Sequence, residues 1–177
     1  MPILEILTYP DPFLKTKAAR LSRVDDSVRT LIGNMIDAMY GARGIGLAAT
    51  QVRADARVIV LDVPDARSEE DEPYRRGKNL VALINPEIIA SSGVIIYEEG
   101  CLSLPGETAD VERAVNVSVK AIDKNNDPVE ISAEGLFAIA LQHEIDHLDG
   151  ILFIDRISRL KREFIKRRLK KAKAAAL

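Results

Sequence analysis

Several things are scarce in this chain, and each scarcity excludes something. One cysteine among 177 residues leaves no partner for an internal disulfide, so nothing ties the fold to an oxidising compartment. Apolar runs stay far short of the roughly 20 residues that cross a bilayer, and no membrane segment is expected. The opening MPILEILTYPDP lacks a basic region and carries Glu5 and early prolines, which is unlike a secretory signal. No internal repeat is visible. These absences point to a cytoplasmic protein with one domain over residues 1–177. Histidine is also scarce: there are two, and they lie four residues apart.

What is present is ordinary globular material, with 47% hydrophobic and 29% charged residues, enough to build a core. The net charge of −2 conceals an asymmetry. From Arg156 onward, ten Lys/Arg face one acid, Glu163, giving +9 and leaving −11 on the rest. A basic tail on an acidic body suits an anionic partner, although a solvated helix face explains a generic basic helix equally well.

Periodicity predicts a helix over residues 25–41, where Val28, Leu31, Ile32, Met35, Ile36 and Met39 form an i, i+3, i+4 stripe and Gly41 suits the position after the helix. The glycine-rich ARGIGLAATQV that follows reads as loop. Strands are expected near 57–63, 80–89, 93–98, 115–122 and 128–131, with DKNNDP as the turn between the last two. Residues 64–79 hold nine charges and two prolines and read as a mobile surface loop. A second helix should start after Ser132 and end at Gly150. A third, the basic helix of 158–177, should start near Ser158 with Leu160, Phe164, Ile165 and Leu169 as its apolar side. The fold class is therefore α+β, with mixed or antiparallel sheets around a central histidine-bearing helix, an N-terminal helix and a C-terminal basic helix.

That central helix carries QHEIDHLDG, residues 142–150. Positions i and i+4 share a helix face, so His143 and His147 present two imidazoles to one point. Glu144 sits one step round, within reach of a water beside an ion held there. This is the HExxH pattern, two metal ligands and a general base. A catalytic ion usually takes a third protein ligand and keeps one position open. No histidine remains for it. A carboxylate or Cys101 is left, and a lone cysteine is more often a small buried hydrophobe than a ligand. With a thiolate and two imidazoles, the ion would be Fe(II), Zn, Co or Ni rather than Mg or Ca. The residues alone support a metal-assisted hydrolase of an amide or similar carbonyl.

Three segments together, GIGLAATQ (44–51), EGCLS (99–103) and QHEIDHLDG (142–150), resemble those of the bacterial peptide deformylases in content, order and spacing. The opening ILTYPDPFL and the later ILFIDRIS are similar too, so the resemblance covers nearly the whole chain. Many members carry proline where this chain has Thr50, a difference read here as one of loop stiffness. The resemblance implies that Cys101 joins His143 and His147 as third ligand of one ion per chain. It implies Fe(2+) as the cellular metal, with Zn(2+), Ni(2+) or Co(2+) able to occupy the same site. It implies N-formylmethionyl nascent peptides as substrate, with formate released. Glu144 would be the base, and the Gln51 amide and the Leu102 N–H would share the developing charge on the formyl oxygen. Gly46 and Gly100 would bond the substrate backbone, and Ile45, Leu136 and Ile139 would wall the methionine slot beside the His143 ring. Glu99, beside Cys101, would lie at the substrate site, paired with Arg113; alternatively Asp146 would support His147. The basic helix would dock on the ribosome, with no membrane or DNA partner.

Two rivals differ in kind. A protease using HExxH should cleave unformylated peptides. A non-catalytic, metal-stabilised module would need no base at Glu144 and would normally close its site with a fourth ligand.

Overall fold

The computed structural model describes residues 2–65 and 75–177. Its first helix, α1 (Asp26–Gly41), starts where the Asp25 side chain accepts from the Val28 N–H. Gly41 is the last helical residue, not the left-handed one expected after it. That conformation falls on Arg43, at φ 58°.

A five-stranded antiparallel sheet follows, in the order β1 (Gly46–Ala48), β2 (Val58–Asp62), β3 (Leu80–Ser92), β6 (Asn116–Ile122), β7 (Pro128–Glu134). A separate two-stranded ribbon pairs β4 (Ile95–Cys101) with β5 (Leu104–Arg113). Two of these strands depart from the sequence reading. β1 lies inside the segment read as loop, because its Gly46, Leu47 and Ala48 pair with Leu61, Val60 and Ile59. β5 has no clean hydrophobic alternation: its ten residues include Pro105, Gly106 and four charged residues, and pairing with β4 makes it a strand.

β2 explains how the core is divided. All five of its residues are buried, as expected for a strand covered on both faces. Val58 and Val60 face α1 and meet Ile32, Met35 and Met39. Ile59 and Leu61 face the other way and meet Ala138, Leu141, Ile145 and Leu148 of α2 (Gly135–Leu148). The histidine-bearing helix is thus clamped on the sheet by the residues between its functional ones. It starts later than expected: Ser132 belongs to β7, and Glu134 precedes the helix without a side-chain cap. Gly150, at φ 73°, lies just past its end.

A third cluster joins Leu104 and Val111 of β5 to Leu152, Phe153 and Ile154 and to Ile165 and Leu169 of the basic helix α3 (Arg159–Ala175). The Ser158 side chain accepts from the Lys161 N–H and starts this helix, as the sequence indicates. Its apolar side is narrower than expected, since Leu160 is 69% and Phe164 52% exposed. Of the charged segment 64–79, residues 66–74 lie outside the described residues, and its last part is a turn leading into β3. Among the described residues no helix is long and apolar enough to cross a membrane.

Candidate active site

Three elements converge on one point. α2 supplies His143 and His147, the end of β4 supplies Cys101, and the 3-10 turn after β1 (Ala49–Val52) supplies Gln51. The Cys101 Sγ lies 3.2 Å from His147 Nε2, which lies 3.3 Å from His143 Nε2. Among the described residues, Cys101, His143 and His147 form a group whose ligand atoms all fall within 4.8 Å of one another.

Those spacings suit a metal ion. A tetrahedral centre with metal–nitrogen bonds near 2.1 Å and metal–sulfur bonds near 2.3 Å has edges of roughly 3.4–3.6 Å. The donor set also fits. Both Glu99 oxygens are held by Arg113, at 2.6 and 2.8 Å, so Glu99 accepts from His143 Nδ1 at 2.8 Å as a carboxylate. The proton of a neutral His143 therefore sits on Nδ1, and its Nε2 lone pair faces the cluster.

Without an ion, the electrostatics favour a proton on His143, which an ion bound at Nε2 would displace. Burial pushes the Glu99 carboxyl up, but hydrogen bonds from Arg113 and His143 outweigh it and hold the group below its usual range. Burial pulls His143 down, yet Cys101, Glu99 and Glu144 together carry it well above its ordinary value. His147 goes well below, through burial and the nearby charges of His143 and Arg113. A proton on His143 thus disfavours one on His147.

Glu144 lies against the same point. Burial, opposed by His143 and reinforced by Glu99, pushes its carboxyl up to about 7. Its Oε2 is buried with no hydrogen-bond partner among the described residues. A carboxylate poised near neutrality and short of partners is equipped to take and return a proton.

Gln51 is buried and fixed at both ends of its amide. Its Oε1 accepts from the Ala48 N–H at 2.9 Å, and its Nε2 donates to Ser103 Oγ at 3.1 Å while lying 3.7 Å from Cys101 Sγ. A cleft of about 550 Å³ opens beside this group. Ile45, Gly46, Glu99, Gly100, Leu102, Leu136 and Ile139 all line it, with Gln51, Cys101, His143 and Glu144. The structure thus gathers every site residue named from the sequence around one cleft, except His147, which sits behind it against Cys101 and His143.

Of the two supporting arrangements left open, Glu99 pairs with Arg113, and Asp146 does not bond His147. Asp146 instead accepts from Arg113 at 2.7 Å and from Arg156. These contacts with Arg113 and Arg156 are not revealed by adjacency in sequence.

Two supporting residues went unnoticed in the sequence. Ser103 anchors the Gln51 amide, and its N–H lies 3.4 Å from Cys101 Sγ. Thr50, read only as a matter of loop stiffness, is fully buried and donates from Oγ1 to the His147 carbonyl at 3.1 Å. The only sequence signal for either was its place next to a functional residue.

Comparison with known proteins agrees with this arrangement. The family model described as polypeptide deformylase matches residues 3–163. A peptide deformylase from Thermodesulfovibrio yellowstonii is 51% identical over 98% of this chain and 100% of its own. One from Alkalilimnicola ehrlichii is 48% identical over 97% of this chain and 91% of its own. Among solved structures, a peptide deformylase from Legionella pneumophila superposes with a TM-score of 0.85 at 43% identity, covering 99% of this chain and 98% of its own. The Ehrlichia chaffeensis peptide deformylase in complex with actinonin superposes at 0.87 with 38% identity, covering 97% and 98%.

Proposed function

The chain belongs to the polypeptide deformylase family, and we propose that it removes the formyl group from N-formylmethionyl peptides with one divalent ion held by Cys101, His143 and His147. The observation that carries this is the convergence of those three side chains beside a buried Glu144 at the head of a cleft. Fe(2+) is the proposed cellular ion, because a thiolate with two imidazoles suits a borderline-soft metal; Zn(2+), Ni(2+) and Co(2+) fit the same donors. When bound, the ion draws electron density from an attacking water and from the carbonyl oxygen, so that the reaction runs near neutral pH.

The chain's own residues do the rest. Glu144 takes the proton from the attacking water and returns it to the departing amine, which a carboxyl near 7 does in both directions. The C–N bond of the formamide breaks, leaving formate and a free N-terminal methionine. Gln51 offers an N–H already in place, because Ala48 and Ser103 fix its amide, and the Leu102 N–H at the cleft is the second donor. Gly46 and Gly100 leave room for an extended peptide backbone, while Ile45, Leu136 and Ile139 give its methionine an apolar wall. Glu99 serves His143 rather than the substrate, since both its oxygens are engaged.

The basic helix supports a second proposal, docking on the ribosome. Leu160 and Phe164 are exposed one turn apart, amid Lys161, Arg167, Arg168 and Lys171. Such binding should weaken steeply with salt and vanish on deleting the helix. In this reading the enzyme works in the cytoplasm, where formylated chains emerge.

The test of the main reading is metal content with formate release from a formyl-Met peptide, in the parent and in Cys101→Ala. One ion and formate in the parent, with both lost in the variant, support it. Cleavage of unformylated peptides instead would point to a protease.

A further inference from the structure

The His143 imidazole is the inner end of a chain of ionic hydrogen bonds that reaches the surface. Glu99 accepts from His143 and from two N–H groups of Arg113. Arg113 also donates to Asp146, and Asp146 takes a two-pronged contact from Arg156, through Nε at 2.5 Å and Nη2 at 2.7 Å. The side chains of Glu99, Arg113 and Asp146 are 4%, 2% and 11% exposed, whereas that of Arg156 is 42% exposed. We propose that Arg156 is a positioning residue for the reaction: acting through Asp146, Arg113 and Glu99, it holds the His143 ring in the orientation and tautomer that a metal ion needs.

Charge balance is the reason. Arg113 alone would serve two buried carboxylates, and its single charge can neutralise only one of them. Arg156 supplies the second cation, so Asp146 needs only one N–H of Arg113, and the two-pronged face of Arg113 stays on Glu99. Without Arg156, Asp146 competes with Glu99 for Arg113, and the Glu99 oxygen bonded to His143 Nδ1 is free to shift. The same turn touches His143 from a second side. Arg156 ends the 3-10 segment Phe153–Arg156, and the Phe153 ring stacks on the His143 ring with centroids 6.4 Å apart. Asp155 ties that turn to the Leu152 N–H and to Lys15, so Arg156 projects from a fixed base.

The inference rests on the metal reading above, and the experiment separates the two. Co(2+) is titrated into metal-free parent, Arg156→Gln, Arg156→Lys and, as a control, Arg20→Gln, whose side chain is paired with Glu87 outside this chain of contacts. Affinity is read by chelator competition and geometry by the visible absorption of the bound ion. Arg156→Gln should bind Co(2+) about tenfold more weakly, the lower end of what loss of a direct ligand partner causes. Its absorption bands should shift, and kcat should fall with KM for the formyl-Met peptide unchanged, since the cleft walls are untouched. Arg156→Lys should recover part of each, and Arg20→Gln should match the parent. If Arg156→Gln fails to fold, Arg156→Lys carries the comparison, with a smaller change in the same direction. Parent-like affinity, spectrum and kcat in a folded Arg156 variant would overturn the inference while leaving the metal reading intact. A parent that takes up no Co(2+) would overturn both.

Discussion

The backbone of Gly46 runs so close to the Glu144 carboxyl that a Cβ built on it would lie 2.6 Å from Oε1 and 3.0 Å from Cγ. The glycine-rich segment therefore does more than turn the chain. It is a strand pressed against the proposed base, and only a hydrogen fits between them. Gly46→Ala should push the carboxyl out of place. A misplacement of about 1 Å costs roughly 100-fold in rate, so kcat should fall by about that factor while thermal unfolding shifts little. Parent-like turnover in a folded Gly46→Ala would mean that the position of Glu144 is not critical.

Gln51 is held by Ala48 and Ser103 with its amide N–H groups toward the cluster. If it stabilises charge on the formyl oxygen, Gln51→Leu should lower kcat by about 100-fold or more, the usual effect of losing one such donor. Steady-state kinetics on a formyl-Met peptide would check this, with KM expected to change much less than kcat.

Gly150 has φ 73°, and a Cβ there would run into the backbone carbonyl of Lys15. Neither the strained conformation nor the backbone contact relaxes cheaply. Gly150→Ala should lower stability by at least about 2 kcal/mol, read as a lower urea midpoint with unchanged slope. A loss of less than about 0.5 kcal/mol would show that the end of α2 can move.

The Tyr40 hydroxyl donates to Asp62 at 2.5 Å, linking the end of α1 to β2, whose Asp62 N–H bonds the Ile45 carbonyl at the cleft. Burial, then the Asp62 hydrogen bond and charge, push this phenol up to about 12 from an ordinary 10. The folded state thus favours the protonated form. Its contribution is fully present below pH 10 and is lost as pH rises through 12. Stability should fall across that window in the parent and fall less steeply in Tyr40→Phe, followed by denaturant unfolding at each pH. Equal slopes would contradict the assignment.

The sequence showed the site more clearly than the strands around it. His143, Glu144 and His147 are legible because helical spacing fixes their relation before any tertiary contact forms. Cys101 and Gln51 reach them only through β4 and the turn after β1, so the residues alone left the third ligand open and only resemblance to a family supplied it. β5 was missed because cross-strand pairing rather than side-chain alternation makes it a strand. Arg156 and Thr50 were invisible as supporting residues for the same reason. Their partners, Asp146 and the His147 carbonyl, lie 10 and 97 residues away in sequence, and no local pattern marks either contact.

The most direct test of the central claim, that Cys101, His143 and His147 hold an ion for which Glu144 is the base, separates binding from chemistry. Parent and Glu144→Gln are purified without oxygen, loaded with Fe(2+) or Co(2+), and analysed for bound metal and for formate released from a formyl-Met peptide. The expected result is one ion in each protein, formate from the parent, and a loss of at least about 100-fold in the variant. Equal formate release by both proteins, or metal bound with no formate from either, would contradict the account.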